Sequence, residues 1–187
     1  MVSTGGNAGW NEDAEHPATR FAADCALQLD VCNSLLAVAD ALPAGLNVKT
    51  LEVLSKLTPV TWTSHLALQN EAIIPLIVRR QEQPEAFLAR FDPFARQHIE
   101  ISSLNDELVD FFRAISGGER VENNMIGYLI RSVADRRREH VEWERVLLGP
   151  LLPQTLAPAE RRMFMEWSAA NPWPYDDFKR LSISNLN

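Results

Sequence analysis

REHVEWERVLLGP, residues 138–150, is the stretch whose reading decides the fold. Its apolar spacing is helical, and Gly149-Pro150 ends the helix. His140 and Glu144 stand four residues apart, so both side chains lie on one helical face, a turn apart. A helix bundle offers a metal ion two ligands from one element in this way. Such pairs are also common on solvated surfaces, so this one gains meaning only if other helices supply partners.

Working outward, the chain reads as helices throughout. The first is expected from Pro17, with the apolar stripe Phe21, Cys25, Leu29, Cys32, Leu36, Ala39, and is closed by Pro43 and Gly45. The second runs from Asn47 or Thr50 to about Arg80, with Pro59 expected to kink or divide it and Pro75 near its far end. The third covers about 85–115, with a break at Asp92-Pro93. Its inward face is Phe94, His98, Ile101, Leu104, Leu108 and Phe112. Asn123 or Asn124 is expected to cap the fourth, which ends near Leu148. A shorter fifth helix spans about 158–170. No strand pattern or repeat competes, so the sequence predicts an all-α, up-and-down four-helix bundle at 17–171. Residues 1–16 read as a flexible lead-in and 172–187 as a tail.

The bulk numbers restrict the functions. The 187 residues carry 46% hydrophobic and 23% charged residues, enough for one core and its solvation. A net charge of −7 argues against a general nucleic-acid binder. The basic cluster Arg131, Arg136, Arg137 and Arg138 reads as a solvated helix face paired with Glu139 and Glu142. No uninterrupted apolar run of about eighteen residues marks a membrane span, and MVSTGGNAGWNEDAEH has neither the basic start nor the apolar run of a secretory signal. Cys25 and Cys32, seven residues apart on one helix, have Cα atoms roughly 10 Å apart, beyond disulfide reach. Free thiols suit a cytoplasmic location. Trp143, Trp167 and Trp173 are expected to pack the fifth helix and tail onto the bundle; the other reading is an interface, as in a homodimer.

The histidines supply the partners. His65, His98 and His140 fall one each near the middle of helices two, three and four, and His16 precedes helix one. A lone histidine on an apolar face is most often a hydrogen-bonded core residue. Three at comparable depth are harder to dismiss, because a bundle interior brings them together and buried imidazoles without partners are costly.

Here the chain resembles the bacterial hemerythrin-like, or HHE cation-binding, domains. The resemblance is carried by HLALQNEAIIPLIVRR (65–80), QHIE (97–100) and HVEWERVLLGP (140–150), and covers roughly residues 20–170. Helices two and four of that family each carry a histidine, a carboxylate four residues on and a proline about ten residues on; His65/Pro75 and His140/Pro150 keep that offset. The resemblance implies metal ligation by His65, His98, His140 and Glu144. It also exposes departures. Cys25 stands where the family's first-helix histidine is expected, Gln69 where helix two carries its carboxylate, and Ser102 where hemerythrins have a further ligand on helix three.

Neighbours do not obviously substitute. Glu71 lies six residues past His65, about 240° around the helix, and Glu100 and Glu142 are similarly turned away, so all three read as surface carboxylates. Cys25 would ligate as a thiolate and favour zinc, or it is a small buried hydrophobe. His98, His140 and Glu144 form one half of the family's dinuclear site and resemble the two-histidine, one-carboxylate triad of a single non-haem iron, with His65 nearby.

Three functions follow as expectations. The first is a cation-binding protein with a reduced site, holding iron or zinc and binding or sensing the metal or a small diatomic ligand. The second is a metal-free bundle serving as an interaction or regulatory module, its polar core satisfied by hydrogen bonds. The third is enzymatic turnover of oxygen or peroxide by one iron, for which the sequence specifies no substrate pocket.

Overall fold

A computed structural model describes residues 16–42 and 47–173. The expected lead-in, His16 apart, and nearly all of the expected tail lie outside the described residues. The described chain is helical, with no strand. Its α-helices are α1 (Pro17–Ala41), α2 (Val48–Ala67), α3 (Ile74–Val78), α4 (Pro84–Ala89), α5 (Asp92–Ser116), α6 (Asn123–Leu147) and α7 (Pro158–Ala170). A π-helical segment, Leu68–Ile73, joins α2 to α3, and a 3₁₀ turn, Gly149–Leu151, follows α6.

Local chemistry explains most of the boundaries. His16 caps α1, its Nδ1 accepting the Ala18 N–H at 3.2 Å, and Pro17 opens the helix. Asn47 caps α2 through the Lys49 N–H. The break before α5 falls at Arg90-Phe91, so that Pro93 sits in the first turn where its missing N–H costs nothing.

Three expectations are corrected. Of the kink or division expected at Pro59, division does not occur: α2 runs through it. The bond forfeited there, about 3 kcal/mol, is outweighed by burying Leu51, Leu54, Leu57 and Trp62, each worth roughly 1.5–3 kcal/mol. The second helix does not continue as an α-helix to Arg80. Pro75 has no N–H for the preceding turn, and the chain widens before it, the Ile74 N–H reaching back to the Gln69 carbonyl. Neither asparagine caps α6. Glu122 holds the cap position without a side-chain bond, and the Asn123 amide donates instead to the Leu42 carbonyl, 3.3 Å away, tying α6 to the end of α1.

The long helices pack α1 on α6, α2 on α5, α5 on α6 and α1 on α2. Cross-contacts show α1 and α2, and α2 and α5, running in opposite directions: Gln28 meets Thr61 while Asp24 meets His65, and Trp62 meets Ser102 while His65 meets His98 ring to ring. By length and composition α1 is apolar enough to cross a membrane, but over half of that window is buried in the fold, as in a core helix. Its buried stripe is wider than expected: Asp24, Gln28, Val31 and Leu35 are inside with Phe21, Cys25, Cys32 and Ala39, while Leu29 and Leu36 are only half-buried.

Two apolar clusters form the core. One gathers Leu35, Leu54, Leu108, Phe112 and Ile130; the other gathers Phe21, Cys25, Leu68, Ile73, Val141 and Phe164. Along α6 the first ends at Ala134 and the second begins at Val141, and the polar residues Arg137 and His140 lie between. α7 closes the second cluster through Phe164 and Trp167. Trp143 is 53% exposed, against the expectation that it packs inward.

Candidate metal centre

The polar layer contains the four residues singled out in the sequence. One potential ligand atom each from His65 (α2), His98 (α5), His140 and Glu144 (α6) lies within 4.8 Å of all the others, and all four residues are buried. Glu144 is the hub. Its Oε2 is 3.1 Å from His65 Nε2, and its Oε1 is 3.3 Å from His98 Nε2 and 2.7 Å from His140 Nε2. His65, expected beside the site, stands in it.

The groups behind each ring decide which nitrogen faces the centre. His140 Nδ1 is 2.9 Å from Gln97 Oε1, which can only accept, so Nδ1 carries the proton and Nε2 presents its lone pair inward. His65 Nδ1 is 2.5 Å from Asp24 Oδ2 and donates to it, turning Nε2 toward Glu144. Gln69 also points inward: its amide nitrogen is 3.2 Å from His65 Nε2 and donates only when that nitrogen has a free lone pair. Trp62 roofs the cluster, stacked on His65 at 5.0 Å between ring centres and edge-on to His98 and His140. The Trp62 N–H donates to Ser102 Oγ at 2.9 Å, which occupies the serine found in place of a ligand.

The electrostatics fit a cation. Burial alone lowers the pKa of His65, but the Glu144 and Asp24 carboxylates overcome it and hold the ring up at about 10. Burial raises the Glu144 pKa, yet the charge on His65 and the close ring nitrogens around it hold it well below the usual carboxylate range. Burial is the largest influence on His140 and lowers it, so this ring is neutral. Two groups remain without well-aligned hydrogen bonds despite their close neighbours: His140 Nε2 and Glu144 Oε2. Buried polar atoms in that condition are costly. Metal–nitrogen bonds of about 2.0–2.1 Å separate tetrahedral ligands by about 3.3–3.4 Å, close to the spacings around Glu144. The donor set therefore fits a divalent transition metal ion, and this buried group could hold one.

The remaining expected positions resolve simply. Both cysteines are free and buried. Cys25 packs among Phe21, Leu68 and Val141, and burial pushes its thiol up, away from the thiolate a ligand requires. Glu71 is turned outward, accepting the Trp167 indole N–H at 2.9 Å, and Glu100 and Glu142 pair with Arg136 and Arg145 at the surface.

One member of the basic cluster departs from the solvated reading. Arg136 does pair with Glu139, Arg131 with Asp40, and Arg138 bonds Asn33. Arg137 is fully buried. It donates to Gln28 Oε1, to Thr61 Oγ1 at 2.8 Å and to the Thr58 carbonyl at 3.3 Å, and lies 5.1 Å from the Trp62 ring centre. Sequence reasoning also missed Asp24, Gln97 and Trp62. A signal for Arg137 existed: it lies three residues before His140 and seven before Glu144, on the same helical face. No known family, curated protein or solved structure matches the chain.

Proposed function

We propose that the protein is a hemerythrin-like, up-and-down four-helix bundle that holds one divalent metal ion on His65, His98, His140 and Glu144. The reading is carried by one observation: four buried donor groups from three helices converge within 4.8 Å. Three imidazoles and one carboxylate suit iron, with zinc the alternative. The role is binding or sensing of the metal or of a small ligand at it. Such an ion would supply a Lewis-acidic centre able to take a further small ligand by expanding its coordination. The chain's own part is to aim the rings, through Asp24 and Gln97, and to exclude bulk water with Trp62 and the apolar clusters.

A metal-free regulatory bundle is the second reading, favoured by the charge balance of Asp24, His65 and Glu144. A doubly protonated His65 between two carboxylates neutralises part of the centre without any metal.

Metal analysis of protein purified without a histidine tag separates the two. The first reading expects stoichiometric metal that disappears in a His140→Ala/Glu144→Ala double variant. Metal at one hundred times its Kd should also stabilise the fold by about 2.7 kcal/mol, a rise in Tm of roughly 5–11 °C for a chain of this size. Protein that stays folded and metal-free after anaerobic incubation with ferrous iron and with zinc contradicts it.

A further inference from the structure

The four candidate ligands are not equally enclosed. His65, His140 and Glu144 are at most 1% exposed, while His98 retains 8%. Past His98 opens a cleft of about 230 Å³ whose lining includes His98 and Glu144. Gln69 lies beside them, and Ile74, Leu88, Phe91 and Phe94 give the cleft apolar walls. It lies between the π-helical segment, the junction of α4 and α5, and the end of α6. The niche between α7 and the π-helical segment is smaller, about 50 Å³, and reaches none of the four ligands.

Size and charge together narrow what this cleft takes. A diatomic molecule needs far less room, for an apolar cavity of about 150 Å³ already holds a benzene ring. Pockets for drug-sized molecules begin at about 300 Å³. A divalent ion held by three neutral imidazoles and the Glu144 carboxylate leaves one net positive charge at the centre. The two other buried charged groups nearby, Asp24 and Arg137, cancel each other. A single negative charge on the ligand's head therefore completes neutrality, and the apolar walls take an uncharged body. Asp92, exposed at the start of α5 and part of the lining, disfavours a second negative charge near the mouth.

We propose that this cleft binds a small monocarboxylate with a ring-sized apolar body, its carboxylate directed to the centre beside His98 and Glu144 and its body against Phe91 and Phe94. The proposal rests on the metal reading above and names the ligand class of that site.

The test uses full-length protein loaded with cobalt(II), whose visible absorption reports its coordination, with benzoate and acetate as probes. Benzoate should shift the cobalt bands saturably, with a Kd at least tenfold below that of acetate. Ala95→Trp and Leu88→Trp each place an indole in the cleft from an exposed lining position. Each should weaken benzoate binding at least tenfold while cobalt content stays stoichiometric. Stoichiometric cobalt with an unchanged spectrum in benzoate, no preference over acetate, or benzoate binding indifferent to both substitutions overturns the ligand proposal alone. Failure to load cobalt at all is the different result that overturns the metal reading and this proposal with it.

Discussion

Asp24 Oδ2 lies 2.5 Å from His65 Nδ1, with both side chains buried. A carboxylate behind an imidazole fixes the ring's tautomer and raises the basicity of the opposite nitrogen, here the one facing Glu144. Asp24→Asn keeps the shape and removes the charge. Its metal affinity should fall about 10–100-fold, read by competition with a chromogenic chelator, with the helical circular dichroism intact. Affinity within twofold of the parent would show that Asp24 does not support His65.

The metal-free protein should be most stable near pH 6.5. His65 has its pKa raised from 6.5 to about 10, so its stabilisation is complete below pH 6.5 and is lost as pH rises toward 10. His140 is lowered, so its contribution is present above pH 6.5 and is lost as pH falls below it. Glu144, held below 4.5, adds a further loss at lower pH. Urea midpoints at pH 4.5, 6.5 and 9 check this; a midpoint still rising from pH 6.5 to 9 would contradict it.

Arg137 and Arg136 are adjacent in sequence and opposite in environment. Arg137→Met removes a buried charge and strands Gln28 Oε1, whose hydrogen bonds come from Arg137, at a cost of about 1–3 kcal/mol. Arg136→Met breaks only exposed pairs with Glu100 and Glu139 and should change stability by less than about 1 kcal/mol. Denaturant unfolding of the two variants reads the difference directly, and equal losses would argue against a structural role for Arg137.

Gln69→Glu places a carboxylate beside His65 Nε2. Without metal it adds a third acid to Asp24 and Glu144 and should lower the Tm. With metal it adds a negative donor and should tighten binding at least tenfold, about 1.4 kcal/mol. The stoichiometry should stay at one ion, because Cys25 brings no donor into the group from α1. Weaker binding in this variant would mean that the neutral amide is itself needed.

Much of this architecture is legible in the sequence because helical periodicity survives in it. The spans of α1, α5, α6 and α7 follow from apolar spacing, proline and glycine, and the four candidate ligands follow from their depth on separate helices. Other features leave no such trace. The π-helical turn at 68–73 changes hydrogen bonding without changing composition. Asp24 sits one residue from Cys25, and either could face inward until the packing of α1 on α2 fixes the rotation. Arg137 hides in a run of three arginines, where charge signals solvent and only the spacing to His140 and Glu144 signals the interior. The failure of Asn123 to cap α6 comes from a tertiary bond to Leu42, which no local pattern encodes.

The most direct test is a crystal structure of metal-loaded protein with data collected at the metal's absorption edge. The account predicts one anomalous peak, bonded to His65 Nε2, His98 Nε2, His140 Nε2 and a Glu144 oxygen at about 2.0–2.2 Å. A centre without a peak in protein soaked with ferrous iron or zinc, with the three rings hydrogen-bonded directly to Glu144, would contradict it.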